Sequence, residues 1–282
     1  MVKLFVFTNI APHYRASLWL KLLKQSNYET HYFFSSNSNS GIQSIDFSTE
    51  VFSSYKNQLH QLKNVWFKGK MLVWQKGVIS QCLKTKFDHA IFLGEMYCLS
   101  TWLAAIICRS RGIRVAFWGH GIYGSEGKIK LFIRKTFYRL AHQHLLYERR
   151  AKRIIQEHDF KPDNLYVVFN SLDYDTHKTL RAKFQNLNKR DVFPFFTNPS
   201  VPVIAFIGRL TAIKKLNLLL DAVKQLNSES TRINLVFIGD GPEKKVLELL
   251  IKNSDMIADE LADEIGVTVR TIQRAYSSLQ KN

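Results

Sequence analysis

Two strand-like runs end in glycines and place cations at the mouth of the next element. The run 203–210 (VIAFIGRL) closes on Gly208-Arg209, with Lys214 five residues later, and the run 235–243 (LVFIGDGPE) closes on Gly239-Asp240-Gly241. In an open α/β sheet, ligands bind where strands end and helices begin. An Arg, a Lys and exposed backbone N–H groups at such a place can neutralise a diphosphate. The plainer alternative is an ordinary βαβ unit with surface cations. A third candidate is His120, held between Gly119 and Gly121. An imidazole there could accept a proton or donate a hydrogen bond. His13 and Arg15, after the first strand, face the same choice between lining a site and starting a helix. Glu95 follows the strand at 89–93 and also points at the cleft rim, but reads as structural. Asp173-Tyr174-Asp175 has the Asp-x-Asp form of a metal motif, but three letters carry little weight. Cys82, Cys98 and Cys108 have neither metal spacing nor an even disulfide count, so a reducing, cytoplasmic setting is the default.

These residues need a frame of alternating strands and helices. Strands are expected at 3–8, 30–34, 89–93, 114–118, 145–146 and 165–169, and helices at 15–25, 98–109, 128–140 and 148–157. The stretch 42–76 has no clear period. A second α/β unit then has strands at 203–207 and 234–238 around a helix over 214–226, and another helix after Pro242. The expected organisation is an N-terminal unit over 1–185, a Pro-containing linker over 186–202, a partial second unit over 203–252 and a tail over 253–282.

Taken together, the two glycine-bracketed segments resemble the family 4 glycosyltransferases of the GT-B class. VAFWGHGIYGS (115–125) looks like that family's acceptor-domain loop with its functional His. LYVVFNSLDYD (165–175) looks like the segment before its interdomain crossing, with Ser171 where Gly is usual, and this placement suits Asp173 and Asp175 better than a metal role. KLFVFTNIAPHYRASLWLKLL looks like its first strand, acceptor-side loop and helix. The resemblance covers about residues 1–250. It implies a Rossmann-like acceptor domain and a Rossmann-like donor domain. It also implies retaining transfer from a nucleotide-sugar to a glycan or lipid-linked acceptor of the cell envelope or a polysaccharide. Carried over, Gly208, Arg209, Lys214, Gly239, Asp240 and Gly241 would hold the donor. Arg209 and Lys214 would stabilise its departing diphosphate. His13, Arg15 and His120 would lie on the acceptor side, and neither a metal nor a cofactor is expected. The later Glu-x7-Glu pair of the family has no counterpart, so the donor half reads as truncated or fused, with activity in question.

Charge narrows the partners. The chain carries a net +17, all of it within residues 1–190, which hold 29 Lys/Arg against 12 Asp/Glu. An anionic membrane surface, nucleic acid or an anionic substrate would each suit this excess. The segment 128–140 puts Ile129, Phe132, Ile133, Phe137 and Leu140 on one helix face, with Lys128, Lys130, Arg134, Lys135 and Arg139 on the rest. That pattern suits either a membrane-surface helix or a helix packed on a sheet. With the family resemblance, a peripheral position at the inner membrane face is the expected partner state, and nucleic acid is not. The tail has helix-turn-helix spacing around Ala262, Gly266 and Ile272, with Arg270 and Arg274 on its second helix. It leaves a DNA-binding regulator as one alternative, and a catalytically dead acceptor-binding protein as another.

Overall fold

A computed structural model describes residues 1–36, 42–67, 69, 71–170, 173–194, 196, 198, 200–229, 232–245 and 247. The helix-turn-helix spacing of the tail lies outside the described residues. The chain divides into two compact units, Met1–Ala182 and Lys183–Asn282.

In the first unit the elements run β1 (Val2–Phe7), α1 (Ala16–Leu23), β2 (Tyr28–Phe34), α2 (Glu50–Ser53), β3 (Leu59–Gln61), β4 (Lys63–Phe67), β5 (Leu72–Lys76), α3 (Val78–Lys84), β6 (His89–Leu93), α4 (Leu99–Ser110), β7 (Arg114–Gly119), α5 (Lys128–Tyr138), β8 (Gln143–Leu146), α6 (Arg149–Gln156) and β9 (Leu165–Val167). Seven strands form one sheet in the order β3-β2-β1-β6-β7-β8-β9, and every pairing is parallel. The chain thus winds outward from β1 through β2 to β3, then returns to β6 at the other side of β1 and winds the opposite way. That reversal opens a crevice at the carboxyl ends of β1 and β6.

A parallel sheet with helices on both faces buries its strands twice over. The LFVF of β1 obeys that rule. Leu4 and Val6 pack with Trp19, Tyr32 and Phe34 on one face, while Phe5 and Phe7 pack with Phe33, Phe87 and Phe92 on the other. The ring stacks are close: Phe5 on Phe87 at 4.2 Å, Phe7 on Phe92 at 4.7 Å and Trp19 on Tyr32 at 3.9 Å. Cys82, Cys98 and Cys108 are free and buried.

The stretch without a period holds an antiparallel hairpin, β4 with β5, outside the main sheet. Helix α5 departs from its expected face. Phe137 is fully buried against Phe117 and Trp102, and Arg134, expected among the solvated cations, is only 3% exposed. Ile129 and Phe132 instead stand out, at 80% and 70% exposure. Among the described residues, no helix is long and apolar enough to cross a membrane.

Helix α7 (Tyr174–Phe184) crosses the division between the units. The stretch read as a linker holds a short helix, α8 (Lys189–Val192), started by a reciprocal cap between Asn188 and Asp191. Parallel strands β10 (Val203–Ile207) and β11 (Asn234–Ile238) flank α9 (Leu216–Ser228), which buries Leu216, Leu220 and Val223. The helix starts two residues later than its apolar period suggests. Lys214 ends a 3-10 turn and Lys215 adopts a left-handed conformation, which interrupts the winding.

His144, on β8, makes the first unit acid-sensitive. It is 2% exposed between Tyr138 and Phe160, and burial lowers its imidazole to about 4. The unfolded chain takes up this proton near pH 6.5 and the folded chain only near 4. Its stabilising contribution is therefore intact above 6.5 and is lost as pH falls toward 4, by roughly 3 kcal/mol in all. Thermal denaturation across this range is expected to show a falling midpoint, and His144→Phe to flatten that slope. An unchanged slope in the variant would assign the sensitivity to other groups.

Candidate functional site

The crevice at the strand reversal holds a cavity of about 320 Å³. Its wall comes from the carboxyl ends of five strands: Thr8 to Ile10 after β1, Leu93 to Glu95 at β6, Trp118 to Gly121 at β7, Tyr147 after β8 and Asn170 after β9. The β4–β5 hairpin holds the first of these loops. Buried Gln75 donates from Nε2 to the Thr8 carbonyl at 2.8 Å, and buried Asn64 from Nδ2 to the Asn9 carbonyl at 2.7 Å. Two amides thus take the place of water for backbone that the sheet leaves unpaired.

Two guanidinium groups enter the cavity. Arg15 is 7% exposed, lies 4.2 Å from the centre of the Trp118 ring and donates through Nη2 to the Tyr147 hydroxyl at 2.6 Å and to Asn170 Oδ1 at 3.4 Å. Arg134 comes from α5 and pairs with Glu126, with Nε 2.9 Å from Oε1 and both side chains 3% exposed. Glu126 also accepts from the N–H groups of Tyr123 and Gly124, which ties the loop between β7 and α5 into one shape. Burial pushes its carboxyl up, but those backbone N–H groups and Arg134 outweigh burial and hold it below its ordinary value.

His120 lines the cavity from that loop, edge-on to Tyr147 at 4.7 Å. Glu95 lines it too, where its position after the strand puts it. Burial raises its carboxyl, against the lowering pull of Arg134, a Tyr97 N–H, His120 and Lys130. Buried atoms without a hydrogen-bond partner among the described residues gather here: Thr8 Oγ1, Trp19 Nε1, Glu95 Oε1 and Trp118 Nε1 all belong to lining residues. Buried polar atoms normally find partners, so such a group marks a place for a ligand or water. Periodicity hides these residues, because Trp19 and Trp118 read as plain core.

Arg15 and His120 therefore meet in one cavity, and His13 does not join them. It is exposed, with Nδ1 3.2 Å from the Gln43 carbonyl. Asp173 accepts from the N–H and hydroxyl of Thr176 at the start of α7. Hydrogen bonds from Ser17 and then Thr176 lower it to about 2, while Asp175 pairs with Lys21 at 2.7 Å, so both acids join α7 to α1.

In the second unit the loops after β10 and β11 are laced together. The Gly208 N–H donates to the Ile238 carbonyl, that of Leu210 to the Asp240 carbonyl, and that of Glu243 to the Leu210 carbonyl. A Cβ on Gly239 would strike the Gly208 carbonyl, and one on Gly241 the Leu210 carbonyl. These glycines allow two loops to touch backbone to backbone. Arg209 and Lys214 are exposed beside them.

Residues 188–259 match the model of the family "Glycosyl transferases group 1". The match runs a few residues beyond the point near 250–256 where the sequence pattern is read as breaking off. Among solved structures, the chain is similar to UDP-GlcNAc 2-epimerase from Methanocaldococcus jannaschii, with 16% identity, a TM-score of 0.51 and coverage of 90% of this chain and 71% of that one. It is similar to MnaA of S. aureus with UDP, at 16% identity and a TM-score of 0.53, covering 89% of this chain and 66% of that one. It is also similar to Anabaena HepE in complex with UDP and glucose, at 12% identity and a TM-score of 0.51, covering 94% and 67%. This chain thus spans about two-thirds of the length of those structures. No curated protein matches its sequence. The likeness establishes the fold, Rossmann-like α/β of the GT-B type, as the sequence suggests.

Breaking a buried ion pair from one side leaves an uncompensated charge. Glu126→Gln is expected to lower stability by about 3 kcal/mol in denaturant unfolding. The double replacement Glu126→Gln with Arg134→Met should recover part of that loss. A single variant as stable as the parent would show that the pair does not hold the loop.

Proposed function

We propose that this protein is a glycosyltransferase that uses a nucleotide-sugar donor, of the family 4 retaining type, with a glycan or lipid-linked acceptor of the cell envelope or a polysaccharide. One observation carries the reading. The laced glycine loops bearing Arg209 and Lys214 stand at the carboxyl ends of β10 and β11, inside the segment that matches the glycosyl transferase group 1 model. The similar solved structures comprise a UDP-GlcNAc 2-epimerase and complexes with UDP, which agrees with such a donor.

In this reading the donor diphosphate lies against the laced loops, where the glycines let it approach the backbone. Arg209 and Lys214 neutralise the charge that grows on it as the sugar leaves, where fixed cations lower the barrier most. The cavity of the first unit takes the acceptor. His120 there hydrogen-bonds the acceptor hydroxyl or receives its proton. Gly208, Gly239, Asp240 and Gly241 are donor-side residues, and Arg15 and His120 acceptor-side ones. His13, on the exposed rim, would act only through the loop it braces.

The surface of α5 supports a second element of the proposal, attachment to an anionic membrane. Exposed Ile129, Phe132 and Ile133 lie among Lys128, Lys130 and Lys135 in a strongly basic unit. Apolar insertion combined with basic attraction is how a surface helix holds a bilayer.

Sugar release or transfer from a panel of UDP- and GDP-sugars tests the first part. Arg209→Ala and Lys214→Ala are each expected to lower the rate at least about tenfold, the scale of one lost charged contact to a leaving phosphate. A rate unchanged in both removes their assigned role. Co-sedimentation with phosphatidylglycerol vesicles tests the second. Phe132→Ser with Ile129→Ser should weaken the binding, and equal binding by this variant would move the membrane contact elsewhere.

A further inference from the structure

The two arginines of the cavity are not equivalent. Arg134 has Glu126 against it. Arg15 is buried as well, yet the only partners its guanidinium has among the described residues are a tyrosine hydroxyl, an amide oxygen and aromatic faces. A buried cation without a counter-charge is costly, and proteins normally pair it. Every Asp and Glu of the first unit is among the described residues, and none forms an ion pair with Arg15. Arg15 is also braced. Trp118 covers one face of the guanidinium while Tyr147 and Asn170 fix Nη2, so little freedom is left to lose on binding. Its Nε and Nη1 groups keep donors without a protein partner among the described residues.

The rest of the wall leans the same way. Trp19 Nε1 and Trp118 Nε1 can only donate, and both lack partners among the described residues. Against these donors stand Thr8 Oγ1 and Glu95 Oε1, and Glu95 forms no ion pair with Arg15. A cavity with surplus donors and one uncompensated cation complements a ligand rich in acceptors and negatively charged. Its volume of about 320 Å³ falls in the range of small-molecule sites.

We infer that the molecule held in this cavity carries an oxyanion, a carboxylate or a phosphate on a sugar, and that Arg15 recognises it through the donors left free by Tyr147 and Asn170. The inference deepens the proposed function and rests on it in calling that molecule the acceptor, but the anion site itself requires no transfer activity.

Titration calorimetry of the full chain with three probes tests it: methyl glucuronide, glucose 1-phosphate and methyl glucoside. At least one anionic probe should bind about tenfold or more tighter than the neutral glucoside. Tighter glucuronide assigns a carboxylate, and tighter glucose 1-phosphate a phosphate. Arg15→Gln should abolish the preference while leaving the far-ultraviolet dichroism and UDP affinity as in the parent. If Arg15→Gln fails to fold, Arg15→Lys takes its place. It keeps the charge but not the planar donor set, and should lose several-fold affinity for the anionic probe alone. Equal affinity for all three probes overturns the inference. So does no binding of either anionic probe at about 10 mM, which is weaker than the usual range for a specific site. A preference that survives intact in the Arg15 variant overturns it too. Anion binding without sugar transfer from any donor would instead defeat the proposed function and leave the anion site standing.

Discussion

The first unit depends on β1 being paired on both sides and covered on both faces. Because β2 lies along one edge and β6 along the other, the chain must wind outward twice from the same strand. Loops after neighbouring strands then diverge, and a cavity opens between the loop after Thr8 and those after β6 and β7. The aromatic stacks that cover β1 fix where that space opens. The cavity is a product of the winding order, and side chains only decide what it can hold.

Those side chains set up an imbalance. Glu126 answers Arg134 and is itself anchored by backbone N–H groups, so this pair acts as structure. Arg15 is braced by neutral groups and has no carboxylate paired with it among the described residues. Two identical residue types in one wall thus have different surroundings, and the difference lies in whether a carboxylate stands against them. The second unit uses another device. Its loops gain their shape from the lack of side chains at Gly239 and Gly241, which brings N–H groups and cations to the same end of two strands.

Much of the frame was legible in the sequence. Short β-rich runs and helical spacing placed β1, β6, β7, α4, β10 and β11 to within a residue or two, since two-sided burial gives strands such as LFVF an unbroken apolar signature. The glycine-bracketed His120 and Arg15 were visible as candidates because glycine and charge punctuate a chain. The β4–β5 hairpin was not, because its inward residues Asn64 and Gln75 are polar and their partners, the Thr8 and Asn9 carbonyls, lie more than fifty residues away. Glu95 reads as an ordinary acid after a strand, and only the fold shows that one of its oxygens is buried without a partner among the described residues. Arg134 misled for the opposite reason. Helical spacing groups it with solvated lysines, and its burial depends on Glu126 in the preceding loop.

Helix α5 joins two parts of the surface that would otherwise be independent. Arg134 and Phe137 look inward, while Ile129 and Phe132 look out, all within one hydrogen-bonded cylinder of eleven residues. At a rise of about 1.5 Å per residue these positions span little more than two turns, too short a length to twist internally. A roll that buried Phe132 against any outside surface would carry the Arg134 guanidinium and its Glu126 partner along the cavity wall. The inside of the cavity and the outside of the protein are, at this helix, two ends of one lever.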